Sequence, residues 1–138
     1  MEQFKIFVKE LLGEMAVKEL NYNPSSLKIL DELIELAHKR ENLTEIDKKW
    51  IMVRMAYYLG ECIIRNLNGE WVPFNQKLKK LRMYTTDGIP VIEGYAPKGY
   101  YYSPLEVIYA YWLNWNPNQK KKLRDSYDVL EKESKLKK

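Results

Sequence analysis

The feature that most constrains this chain is the long apolar stretch between Thr44 and Gly69. Thr44-Glu45-Ile46-Asp47 sets a capping hydroxyl three residues before a carboxylate, which satisfies the free N–H groups at a helix start. From Ile51 to Ile64 the sequence is apolar nearly all round, so this helix must be buried by neighbours on several sides. Gly60 in its middle costs roughly 1 kcal/mol against alanine, and its missing side chain lets another element approach closely. Asn68-Gly69 supplies the left-handed residue that ends a helix, so the stop is expected at about Leu67. A helix buried this way needs a core around it, and 138 residues suffice for one domain to build one.

Two helical patterns precede it. Phe4, Phe7, Leu11 and Met15 recur at helical spacing, with Val8 and Leu12 widening the stripe, until Asn21 to Asn23 breaks the run. Pro24 opens the next helix with Asn23 as N-cap, and Leu27, Leu30, Leu33 or Ile34, and Ala37 form its apolar face. It fades at His38-Lys39-Arg40-Glu41-Asn42.

After Gly69 the period changes. Trp71-Val72-Pro73-Phe74 reads as a short strand, which its proline restricts to an edge or a strand end. Leu81, Met83 and Thr85 alternate with polar or half-polar neighbours, and Ile89, Val91 and Glu93 alternate beyond Asp87-Gly88. An Asp-Gly pair between two alternating runs predicts a hairpin. Ser103-Pro104-Leu105-Glu106 then starts a helix over roughly 104–115. Asn116-Pro117 restarts a final one, whose thin face of Leu123, Tyr127 and Leu130 predicts a largely exposed helix. The expected fold is a single α+β domain over 1–138. Helices occupy 1–67, a small antiparallel three-stranded sheet 70–94, and two C-terminal helices 103–136.

Several chemistries find no motif here. Cys62 is the single cysteine and sits in an apolar run, as a small buried hydrophobe does. His38 is the single histidine, so metal sites needing several His, or His with Cys, cannot be built within one chain. The glycines match neither phosphate-cradling pattern. No metal or cofactor is expected. The N-terminus carries Glu2, Lys5, Lys9 and Glu10 rather than a basic start and apolar run. No segment reaches the roughly 18 apolar residues of a membrane span. A soluble, cytoplasmic protein is the expectation.

Arg54, Tyr58, Glu61 and Arg65 are spaced by four, three and four residues and so share one face of the long helix. That face either opens to solvent as a pocket or forms a paired network. A carboxylate between two guanidiniums stays ionised, which is the wrong tuning for a general acid. The structural role is therefore the favoured one.

Tyr57-Tyr58-Leu59-Gly60-Glu61 followed by Asn68-Gly69-Glu70-Trp71 resembles a pattern in small bacterial proteins of unknown function, some from toxin–immunity neighbourhoods. In those proteins a "YLGE" helix leads through an "NGEW" turn into a short sheet and a C-terminal helix. The resemblance covers roughly residues 50–113. It implies that fold and a non-enzymatic binding role, and it transfers no catalytic residue.

The aromatic segment beyond the expected sheet offers a second surface. Aromatics make up 13% of the chain, with 11 tyrosines, and they crowd at Tyr95, Tyr100, Tyr101, Tyr102, Tyr109, Tyr111, Trp112 and Trp115. Tyr and Trp are enriched in protein-binding hot spots, so Tyr95, Lys98, Tyr100, Tyr101 and Tyr102 form the candidate partner-binding set. The competing reading packs Ile108, Tyr111, Trp112 and Trp115 on the sheet, with the tyrosine run closing over it. The expected partner is another protein, such as a toxin or effector, bound by occlusion.

Two alternatives accompany that reading. Residues 71–138 hold 13 Lys/Arg against 7 Asp/Glu, whereas residues 1–70 hold 10 against 12. The basic half, with Lys79, Lys80, Arg82 and Lys98 near the aromatics, is compatible with nucleic acid. A carboxylate-based hydrolase would use Glu61 and Glu70, which requires both in an open cleft.

Overall fold

The computed structural model describes residues 2–73, 90–118 and 122–137. Its backbone is mostly helical, with a small two-stranded antiparallel sheet. We label the helices α1 (Glu2–Leu12), α2 (Glu14–Glu19), α3 (Leu27–Lys39), α4 (Glu45–Leu67), α5 (Pro104–Leu113) and α6 (Leu123–Ser134). The strands are β1 (Glu70–Val72) and β2 (Val91–Glu93).

The long helix forms as its sequence requires. Thr44 Oγ1 accepts from the Asp47 N–H at 3.1 Å, and Asp47 Oδ2 accepts from the Thr44 N–H at 3.1 Å. The helix ends where Asn68 turns left-handed at φ 62°. Ile51, Met55, Leu59, Cys62 and Ile63 are buried within it, and α5 packs against it.

The N-terminal helix is not continuous. Gly13 adopts φ 91°, a conformation open to glycine, and separates α1 from α2. Phe4 and Val8 are buried as expected, but the break resets the register. Met15, expected on the same apolar face, is 70% exposed, and Ala16 and Leu20 turn inward in its place. Asn23 lies at the N-cap position of a short 3₁₀ turn, Pro24–Ser26, that leads into α3 without a side-chain cap bond. The apolar face of α3 is buried as read, with Ile29 added.

The expected three-stranded sheet is corrected to two strands among the described residues. β1 pairs antiparallel with β2, matching Glu70 with Glu93, Trp71 with Ile92, and Val72 with Val91. The other edge of β2 bonds to Tyr102: Ile92 N–H donates to Tyr102 O at 2.8 Å, and Tyr102 N–H to Ile92 O at 3.0 Å. The expected strand at 81–86 and its Asp87-Gly88 turn lie outside the described residues.

α5 begins as expected, with the Ser103 hydroxyl accepting from the Glu106 N–H at 3.2 Å. The final helix does not restart at Asn116-Pro117; it starts at Leu123, after Lys122 N–H donates to Asp125 Oδ2 at 2.9 Å. As expected, only its thin apolar face is buried, through Leu123, Tyr127 and Leu130, and the rest of the helix is exposed or partly so. The three fall on one stripe, and most of the remaining residues are charged. No helix among the described residues is long and apolar enough to cross a membrane.

α3 holds the start of α6 through Asp31, whose Oδ1 accepts from the Leu123 N–H at 3.2 Å. Burial pushes the Asp31 carboxyl up from 3.8 to about 6, against the opposing pull of that bond and of Lys122. The folded chain therefore holds this proton more tightly than the unfolded chain. The group's contribution to stability is complete below about pH 4 and is lost as pH rises through 6. Asp31→Asn keeps the acceptor and removes the titration. Urea unfolding of the variant between pH 4 and 6 should give a flatter stability profile, the difference being on the order of 1–2 kcal/mol after solvent screening. Parallel profiles would contradict this account of Asp31.

Candidate functional site

The polar stripe on α4 is only partly one unit. Tyr58 is buried and points to the chain between α2 and α3. Its hydroxyl accepts from the Tyr22 N–H at 3.0 Å and shares a hydrogen bond with Ser26 Oγ at 2.7 Å. The Tyr22 and Tyr58 rings stack at 4.8 Å. Burial raises the Tyr58 hydroxyl above the usual tyrosine value, with the Ser26 and Tyr22 bonds pulling the other way.

Glu61 is not held between two guanidiniums. Its Oε2 accepts from Arg65 Nε at 3.4 Å, but its Oε1 accepts from the indole N–H of Trp71 at 3.0 Å. Arg54 instead lies over the Trp50 ring, 4.7 Å from its centroid. The reason is helical rise: seven residues separate Arg54 from Glu61, about 10 Å along the axis, whereas Trp50 is one turn away. Arg65 completes the chain by covering Tyr22 at 3.7 Å. Trp71 also packs beside Tyr57 at 5.4 Å, and its ring occupies the space a Gly60 Cβ would need.

Tyr22 and Asn66 escaped the sequence reading. Tyr22 has φ 63°, and its carbonyl accepts from Asn66 Nδ2 at 2.8 Å and from Cys62 Sγ at 3.1 Å. The only sequence signal was the Asn21-Tyr22-Asn23 turn, which marks a break but does not identify its central residue as a hub. Cys62 itself is fully buried, and burial pushes its thiol up to about 11. His38 stacks on Trp115 at 4.8 Å and bonds the Ile34 carbonyl through Nδ1 at 2.8 Å. Neither group is arranged as a nucleophile with its base.

The tyrosine-rich segment divides in two. Tyr95 and Tyr102 are core residues, 2% and 8% exposed, and so cannot meet a partner as expected of them. Burial raises both hydroxyls, and that of Tyr102 lies 3.1 Å from Ser126 Oγ on α6. Tyr102 is drawn in because its backbone completes the edge of β2. Tyr100 and Tyr101 remain half-buried and Lys98 exposed. A turn closed by Tyr100 N–H to Pro97 O at 3.1 Å holds them.

A concavity of about 410 Å³ adjoins that turn, and its lining includes Glu70, Glu93, Gly94, Lys98, Tyr100 and Tyr101. Glu70 and Glu93 are direct cross-strand partners, so their side chains leave the sheet on the same face. Strand alternation puts Glu70 on the face opposite Trp71, and Trp71 is the residue bonded to Glu61. Glu61 and Glu70 therefore do not share a cleft. Tyr101 is raised chiefly by desolvation and further by the neighbouring Glu93 charge.

Trp112 and Trp115 pack against His38 of α3. Beside them a polar cavity of about 110 Å³ includes Asp31, Glu35, Tyr111 and Lys122. An adjoining hollow of about 340 Å³ adds Lys28 and Arg124. No sequence motif marked this groove between α3 and α6. Among the described residues, no cluster of three or more His, Cys, Asp or Glu is placed to hold a metal ion.

Comparison with known proteins finds no match to a family model, a curated protein or a solved structure.

The Tyr58 hydroxyl serves two polar groups at once, so its loss should be felt. Tyr58→Phe should destabilise the chain by about 1–3 kcal/mol in urea unfolding, because the Tyr22 N–H loses its acceptor in a largely closed setting. Tyr57→Phe, on the half-buried side of α4, should change stability by less than about 0.5 kcal/mol. Equal effects of the two substitutions would contradict the assignment.

Proposed function

We propose that this chain is a small cytoplasmic protein-binding module of the immunity or antitoxin kind, which occludes a surface of its partner without turnover. The observation that carries this reading is the division of labour among the loop tyrosines. Tyr95 and Tyr102 are anchored in the core on either side of the loop. Between them Tyr100 and Tyr101 are left half-open above the concavity, with Lys98 at the tip. Aromatic side chains fixed by a rigid base lose little entropy on binding, which makes them effective anchors.

The likeness of Tyr57–Glu61 and Asn68–Trp71 to the pattern in toxin–immunity neighbourhoods supports the choice of partner class. The hydrolase alternative fares less well. Glu61 is engaged by Trp71 and Arg65, and Glu70 lies on the other face of β1. The described C-terminal segment does not favour nucleic acid either. Residues 122–137 interleave five Lys/Arg with four Asp/Glu, and Arg124 is paired with Asp128 at 3.0 Å.

The tagged chain and its Tyr100→Ala/Tyr101→Ala variant, purified side by side from native cells, provide the test. A protein retained by the wild type should be reduced at least about tenfold by the variant, with thermal unfolding of the two chains alike. A partner held equally by both chains would place binding elsewhere and defeat the proposal for this face.

A further inference from the structure

Resting on the binding reading of the same face, we infer that the concavity beneath Tyr100 and Tyr101 receives a lysine or arginine side chain of the partner protein. Its floor is set by strand register. Glu70 and Glu93 face each other directly across the β1–β2 ladder and project on the same side. Like charges placed opposite one another destabilise a sheet, and a cation seated between them removes that repulsion. Tyr100 and Tyr101 are among its lining residues, and tyrosine rings attract ammonium and guanidinium groups. At about 410 Å³ the hollow is large enough to admit one long side chain.

An independent contact points to the same chemistry. The Lys137 ammonium donates to the carbonyl of Gly94, one of the lining residues. An ammonium group is thus already accommodated at the rim. Lys98 also lines the hollow and is exposed. The anionic pair sits at the strand side. A cationic side chain seated beside the pair would form charge-assisted hydrogen bonds with the carboxylates.

The test uses the full, isotopically labelled chain and three probes followed by NMR: the capped tripeptides Gly-Lys-Gly and Gly-Gln-Gly, and n-butylammonium. The lysine peptide should shift the amides of Glu93 to Tyr102 with a dissociation constant on the order of millimolar. The glutamine peptide should bind at least about tenfold more weakly, and added salt should weaken the lysine complex. Glu70→Gln/Glu93→Gln should lower lysine-peptide affinity at least about tenfold, with Glu93→Gln alone as the second variant should the pair unfold.

Equal response to the lysine and glutamine peptides, or lysine binding unchanged in both variants, would overturn the inference. So would n-butylammonium binding as tightly as the lysine peptide, since the hollow would then be a small-amine pocket. Failure of the wider reading is separable. A partner lost on changing Tyr100 and Tyr101 but indifferent to Glu70→Gln/Glu93→Gln sinks the cation inference alone. A partner indifferent to the tyrosines sinks the binding face itself.

Discussion

The structure depends on the absence of one carbon atom. Gly60, in the second half of the longest helix, leaves a bare patch of backbone, and the six-membered ring of Trp71 fills it. The indole N–H then reaches Glu61, one residue along, and Glu61 in turn holds Arg65. Arg65 lies on Tyr22, which stacks on Tyr58, whose hydroxyl meets Ser26. A single line of contacts therefore ties the strand after α4 to the turn before α3. Its charged members are partly exposed, with side-chain exposures of 33% for Glu61 and 55% for Arg65. The ion pair itself contributes modestly, so most of the stabilisation in this line comes from ring burial and close packing.

The sharp return after α4 makes that seating possible. Asn68 takes the left-handed conformation, and a Cβ on Gly69 would press on Ile92 and on the Glu93 carbonyl. Two small or permissive positions thus bring β1 back across its own helix and fix β2 beside it. β2 then presents its remaining edge to Tyr102, which that bridge holds at the core. The proposed binding face is downstream of the helix-to-strand turn: its carboxylates come from the ladder, its rings from the loop that the ladder anchors.

What could be read from the sequence follows from how local each signal is. The start and end of α4 were legible because Thr44, Asp47 and Asn68 act on their own backbone. The close approach at Gly60 was legible as a vacancy, though not its occupant, since Trp71 arrives through a tertiary turn. The break at Gly13 was missed because the apolar spacing runs on past it to Met15, and one glycine dihedral overrides that pattern. The stripe through Arg54, Tyr58, Glu61 and Arg65 was correct as a face and incomplete as a network. Periodicity cannot show that Trp50 captures Arg54 or that Tyr22 turns back onto Tyr58. In the tyrosine segment, composition does not separate core rings from open ones, and the burial of Tyr102 follows from its bridge to Ile92.

The central claim is that Gly60 is required because Trp71 sits on it, and a double-mutant cycle in urea unfolding tests it most directly. Alone, Gly60→Ala should destabilise the chain by at least about 2 kcal/mol, despite alanine's better helix propensity, because the ring is displaced. With Trp71→Ala already in place, the same change should turn neutral or stabilising by up to about 1 kcal/mol, as propensity then acts unopposed. An equal loss of stability in both backgrounds would contradict the account.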